Sequence, residues 1–390
     1  MSNYEELSIK RKKLQEQGDL PEWYQTAGFQ LLEDKYLWED STLKQTFQRM
    51  ADTAAKHLYG KIPQADAEYL HKRFFEVLWD ADLAAASPIY NLGTPRGLPV
   101  SCSGGYVKDQ VAGFYEHRTE MAILTQEQFG TSGYLGAIRP RGSAISRGGT
   151  ATGLTNVFNG VAKDMDEITQ GTTRRGSYAG YVPVSHGDFH ELINGIMADP
   201  EGKNIGINYH DEDVKIVLEG DTEHEIFKRW QKHMKLRSVF GKGYFYFPDR
   251  VARLQPKMYT DEKEFVLEYS KEDFVQYYHN YIFKYDSIGR VLELFKSGAN
   301  VRIPTETKTL LTVFDYEETE DKFIVKTKRI LKSWASNLCT EITLHADELH
   351  TYACVLSSMN AVNFDKWKNT DAVYVATIIV TGKQIGRAHV

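Results

Sequence analysis

Apolar residues recur at helical spacing through the first 86 positions. Tyr4 to Gln17 reads as a charged helix closed by Gly18. Leu43 to Leu58 repeats apolar residues every three or four positions before Tyr59-Gly60, and a third helix is expected from Ala65 to Ala86. These helices carry no evident chemistry and read as scaffold. Glycine and proline then punctuate a loop from Ser87 to Pro99. Val100 to Ser103 looks like a short strand entering a core. From there to about Tyr259, short apolar strands such as Tyr178 to Val184 alternate with helical stretches such as Glu116 to Phe129, Asn156 to Thr169 and Glu223 to Phe240. That alternation predicts an α/β barrel or sheet. Tyr259 to Lys332 breaks the pattern: it is rich in Tyr, Phe, Lys and Glu, and Lys308 to Ile330 reads as a β-hairpin across an acidic turn. We expect a small α+β insertion there, of unassigned role.

Charge and cysteine content narrow the function classes. A net charge of −6 argues against a general nucleic-acid binder, which needs clustered Lys and Arg to displace phosphate counterions. No apolar run approaches the ~20 residues that span a bilayer, and Met1 to Glu6 lacks a signal-peptide pattern. The protein is therefore read as cytoplasmic, with no membrane partner. Three cysteines, Cys102, Cys339 and Cys354, do not make a structural disulfide framework. The histidines, His186 and His190 among them, match no zinc or di-iron spacing and read as structural, so no metal site is expected.

The stretch Ser336-Asn337-Leu338-Cys339-Thr340-Glu341-Ile342 puts an amide, a thiol and a carboxylate at alternate positions. On an extended segment alternate side chains point the same way, so all three are expected to face one small substrate. Asn-x-Cys-x-Glu between Ser and Ile resembles the motif of class I ribonucleotide reductase large subunits. Val100-Ser101-Cys102 and Cys354-Val355-Leu356-Ser357-Ser358-Met359-Asn360 resemble the contexts of that family's reducing cysteines, and Gln170 to Gly176 its mobile specificity loop. The resemblance runs from near the N-terminus to about residue 380, apart from the insertion. It implies an α/β fold: a helical N-terminal domain (1–86), then the first half of a ten-stranded α/β barrel (87–261 and 333–384) with Cys339 on a central finger loop, interrupted by residues 262–332.

The activity implied is reduction of ribonucleoside diphosphates to 2′-deoxyribonucleotides. By resemblance Cys339 is the thiyl residue, Glu341 the general base, Asn337 the orienting amide, and Cys102 with Cys354 the dithiol. Substrate contacts map to Ser87, Ser101, Gly130, Asn337 and Glu341. A nucleoside triphosphate effector would meet Asp109, Arg139, Arg147 and Arg174. No cofactor is expected on this chain. The radical would come from a metal-containing small subunit, electrons from a thioredoxin- or glutaredoxin-type reductant, and the chain would pair with a second copy of itself.

Two further expectations concern the ends. No ATP-cone precedes the helical domain, so on/off control by ATP and dATP is not expected. Gln384 to Val390 matches one reading frame of a sequencing adapter, so residues 385–390 read as a non-native tail and the chain as an inactive fragment lacking the second half-barrel. A cobalamin-dependent class II reductase would have Pro where Leu338 stands. A non-catalytic or split-subunit nucleotide-binding protein of the same family is the remaining alternative.

Overall fold

The computed structural model describes residues 3–39, 42–146, 148–168, 176–255, 263–270, 302–304, 310–319, 322–329, 332–347 and 350–385. Three of the first helices form where the sequence predicts, α1 (Asn3–Glu16), α3 (Leu43–Lys56) and α4 (Gln64–Trp79), and a short helix that it did not predict, α2 (Thr26–Leu31), lies between the first two. Thr42 caps α3 by accepting a hydrogen bond from the Gln45 amide, which satisfies one donor that a helix start leaves orphaned. α3 buries Leu43, Phe47 and Met50 in one core with Leu70, Phe74 and Val77 of α4. Each such side chain contributes about 1.5–3 kcal/mol by leaving water.

The third helix ends earlier than expected. α4 stops at Trp79, Ala81 takes a left-handed φ of +58°, and Leu83–Ala85 becomes a strand, β1. Alanine is the strongest helix former, but tertiary context overrides propensity, and here the preference loses to antiparallel pairing of β1 with Ser357–Met359, which is distant in sequence. The loop that follows also contains a short 3-10 turn, Ser87–Asn91.

Five parallel strands follow in sequential order: β2 (Cys102–Tyr106), β3 (Thr131–Tyr134), β4 (Tyr178–Pro183), β5 (Lys203–Asn208) and β6 (Tyr244–Tyr246). β2 begins two residues later than the expected Val100 start. Helices α5 (Val111–Gln126), α6 (Leu154–Glu167), α7 (Phe189–Ala198), α8 (Asp211–Glu219) and α9 (Glu225–Phe240) make the crossovers. α6 turns Leu154, Phe158 and Val161 into the core that also holds Tyr178, Val182, Ile205 and Ile207. This is the α/β half-barrel expected, its strands buried as parallel strands must be. The insertion contributes β7 (Lys263–Ser270), β8 (Arg302–Pro304), β9 (Leu310–Glu318) and β10 (Lys322–Arg329) as a separate antiparallel sheet in the order β7-β10-β9-β8. The expected hairpin is β9–β10. Among the described residues of the insertion all regular structure is strand, so the helical part of the α+β expectation has no described counterpart.

After the insertion the chain returns to the sheet. β11 (Tyr352–Cys354) pairs antiparallel with β2, outside the parallel set, and β12 (Ser357–Met359) pairs with β1. The helix Ala372–Ile385 then leaves the sheet. Its Ala372, Val375 and Ile379 are buried with α3 and α4, and Asp371 just before it accepts 2.7 Å from Arg73 and 2.6 Å from the Tyr69 hydroxyl. The segment assigned by sequence to the barrel therefore ends inside the N-terminal helical core.

Candidate active site at the sheet edge and finger loop

Residues 333–337 cross the sheet, held by polar side chains from four neighbouring strands. The Tyr246 hydroxyl on β6 is 2.7 Å from Ser333 Oγ, and Asn208 on β5 donates to the Trp334 carbonyl at 2.8 Å. Tyr181 on β4 donates to the Asn337 carbonyl at 2.8 Å, and Ser132 on β3 to the Ser336 carbonyl at 2.8 Å. These buried groups satisfy the backbone of a segment that has no strand partner of its own. Sequence reasoning missed all four; the available signal was polar side chains inside otherwise apolar parallel strands.

The extended geometry expected for Ser336 to Ile342 is not what forms. The chain reverses over Leu338–Thr340, and Thr340 sits at φ +68°. Asn337, fully buried, closes the turn: its Oδ1 accepts from the Glu341 and Ile342 amides, both at 3.0 Å, while its Nδ2 donates to Glu341 Oε1 at 2.7 Å. The Tyr181 hydroxyl also lies 2.9 Å from Thr340 Oγ1. The amide and the carboxylate thus meet through a reverse turn, because side-chain capping of two backbone N–H groups outweighs the extended alternative. Cys339 stands exposed at the tip.

Beneath the tip, the strand register puts Cys354 of β11 directly opposite Cys102 of β2. Opposed residues in an antiparallel pair lie about 4.5–5.5 Å apart at Cα, within the span a disulfide bridges. No disulfide joins them; Cys102 is buried and Cys354 half-buried. Burial, and then the charge of Glu341, push the Cys354 thiol above its usual range. Burial, followed by the charges of Cys339 and Glu341, likewise raises the Tyr244 phenol. Cys339 and Cys354 therefore both lie near the Glu341 carboxylate, and Cys102 faces Cys354 although 252 positions (354 − 102) separate the two.

The other expected substrate contacts divide. Gly130 forms a bridge to Cys102 and exchanges backbone hydrogen bonds with Ser101 and Ser103. A Cβ there would come within 3.2 Å of the Leu338 side chain, so glycine lets the finger loop settle on the strand. Ser101 donates its amide to the Cys354 carbonyl at 2.9 Å. Ser87 lies two residues past β1, with its hydroxyl 2.9 Å from that of Tyr36.

Of the expected effector contacts, Asp109 and Arg139 meet: Arg139 Nε lies 2.6 Å from Asp109 Oδ2, and its backbone amide donates to Oδ1 at 3.2 Å. Arg147 and Arg174 lie outside the described residues. Asp188, which sequence reasoning passed over, accepts 2.8 Å bonds from the amides of Arg141 and Leu154 and so fixes both ends of the intervening loop. His186 donates or accepts only within the fold, at the Ile138 carbonyl and the Asp188 amide.

Residues 100–382 match the model of the ribonucleotide reductase barrel domain. The chain belongs to the ribonucleotide reductase family. It is 25% identical to the ribonucleoside-diphosphate reductase large subunit of Invertebrate iridescent virus 3, over 90% of this chain and 55% of that protein. It is 26% identical to a putative large subunit of Frog virus 3, over 74% of this chain and 41% of that one. A solved class Id ribonucleotide reductase alpha subunit from Actinobacillus ureae shares the fold, with a TM-score of 0.65 at 24% identity, covering 92% of this chain and 53% of the other. The chain thus spans about half the length of the ribonucleotide reductase proteins it matches most fully. Among its described residues no helix is long and apolar enough to cross a membrane.

Proposed function

We propose that this chain carries the ribose-reducing site of a ribonucleoside-diphosphate reductase large subunit. The observation that carries the reading is the pairing of Cys102 with Cys354 beneath a turn that presents Cys339 and Glu341. Hydroxide is a poor leaving group from an unactivated 2′ carbon, and a radical at the 3′ carbon removes that obstacle. Cys339, oxidised to a thiyl radical by a separate radical-generating subunit, takes the 3′ hydrogen atom. Glu341 takes the 3′ hydroxyl proton, held in position by Asn337. The Cys102–Cys354 dithiol protonates the departing 2′ hydroxyl and supplies two electrons. The products are a 2′-deoxyribonucleotide, water and a disulfide, which a thioredoxin- or glutaredoxin-type dithiol reduces again. The 3′ hydrogen returns from Cys339.

Ser87, Ser101 and Gly130 belong to the substrate contacts on this reading. Asp109 and Arg139, with Arg147 and Arg174, belong to a nucleoside triphosphate effector site in a protein that pairs with a second copy of itself. The test is conversion of a ribonucleoside diphosphate by a large subunit of full family length that carries this sequence, with a radical-generating small subunit and a dithiol. Cys339→Ala is expected to abolish deoxynucleotide formation, and Glu341→Gln to lower kcat about 10²–10⁴-fold. Turnover indifferent to Cys339→Ala overturns the reading, and nucleotide binding without any turnover replaces it with a binding protein.

A further inference from the structure

We propose that His345, Asp347 and His350 form a binding site for a divalent cation of the zinc type, on the turn joining the finger loop to β11. One ligand atom from each residue lies within 4.8 Å of the others. His345 Nε2 is 2.9 Å from Asp347 Oδ2, and His350 Nδ1 is 2.7 Å from Asp347 Oδ1. The backbone brings them together: Asp347 and His350 form an antiparallel bridge, with their amides 3.1 and 3.4 Å from each other's carbonyls.

The other face of His345 supplies an independent argument. Its Nδ1 lies 2.8 Å from the Lys332 carbonyl, the arrangement in which a metal-binding histidine donates its second ring N–H to a backbone oxygen. In that tautomer Nε2 presents a lone pair to a carboxylate oxygen, and two lone pairs at 2.9 Å need a positive centre between them. A proton or a metal cation meets that need. In the other tautomer Nδ1 accepts from the Lys332 amide at 2.9 Å and Nε2–H donates to Asp347, so the cluster is a hydrogen-bond network only. The side chains are 9%, 23% and 33% exposed for His345, Asp347 and His350, buried enough to hold an ion and open enough to admit one.

Two imidazole nitrogens and one carboxylate suit Zn²⁺ and its neighbours Co²⁺ and Ni²⁺ better than Mg²⁺ or Ca²⁺, which take oxygen sets. A cation there would tie His345, three residues past Ile342, to His350, two residues before β11, and so hold Cys354 in register with Cys102. This site is independent of the ribose chemistry proposed above.

The test is titration of the EDTA-stripped chain with ZnCl₂ by calorimetry and with CoCl₂ by visible absorption. The intact chain is expected to bind cobalt without a thiolate-to-cobalt charge-transfer band, and Asp347→Asn or His350→Gln to lower zinc affinity at least tenfold. Asp347→Cys retains zinc and adds the thiolate band, which a hydrogen-bond role for Asp347 would not produce. No binding by the intact chain, a thiolate band in the intact chain, or unchanged affinity in the Asn and Gln variants overturns the proposal. Near-UV circular dichroism identifies a variant that has failed to fold, and the Asp347→Cys spectrum then decides.

Discussion

Asn337 does two things at once: its carbonyl oxygen caps two amides of the turn, and its amino group holds the Glu341 carboxylate. Asn337→Ala leaves those partly buried amides without their acceptor, and we expect it to lower stability by about 0.5–1.5 kcal/mol in urea unfolding. The three thiols should also differ in reactivity. Cys339 is exposed and Cys102 only 2% exposed, so iodoacetamide should label Cys339 first and Cys102 last. Because burial and then the charge of Glu341 raise the Cys354 thiol, Glu341→Gln is expected to lower that pKa and speed labelling of Cys354 at a fixed mildly alkaline pH. Mass spectrometry of the labelled peptides checks both orders. At this scale the sequence was informative about residue types and silent about geometry. Asn337, Cys339 and Glu341 stand out by spacing, but the reverse turn that joins two of them depends on Tyr181 and Ser132, 204 positions away in the case of Ser132 and Ser336.

Pairing between elements depends on close approach. A Cβ on Gly104 of β2 would collide with the Tyr352 ring of β11, so Gly104→Ala must displace that buried ring from its place across the strand pair. Overpacking of this kind costs about 1–3 kcal/mol, and here it should also reduce the yield of Cys102–Cys354 disulfide after diamide treatment, measured by peptide mapping. A second interface predicts acid sensitivity. His117 on α5 is buried against the sheet with Nε2 3.0 Å from the Tyr178 hydroxyl, and burial pushes its pKa down to about 4. An unfolded histidine titrates near about 6.5, so below that pH the unfolded chain takes up a proton that the folded one refuses. The stability this residue contributes is present above pH ~6.5 and is lost as pH falls toward about 4. His117→Gln should flatten that part of the stability-against-pH curve. α3 and α6 were legible because each makes a one-sided apolar stripe within one window of sequence, whereas α7 and α8 were not singled out. β1 and β11 were not legible, since strands of three residues owe their existence to partners about 250 or more positions distant.

In the whole molecule, the helix Ala372–Ile385 belongs to the core of the N-terminal helices, latched by Asp371 on Arg73 and Tyr69. Removal of residues 371–390 uncovers that core, and the midpoint of urea unfolding for the helical region should fall accordingly. Family and fold class were readable from a few motifs, whereas this return of the chain was not, because nothing local distinguishes a helix that covers the sheet from one that covers other helices.

The Cys102–Cys354 pairing also has a topological consequence. A bond between those sulfurs makes everything from β2 to β11, including the inserted sheet, one covalent ring of about 250 residues, with the helical core clasped around its two free arms. For a loop of that size the chain-entropy model assigns about 5 kcal/mol of stabilisation. The disulfide form of the protein would then be harder to unfold than the dithiol form, and a denaturant curve would report its redox history.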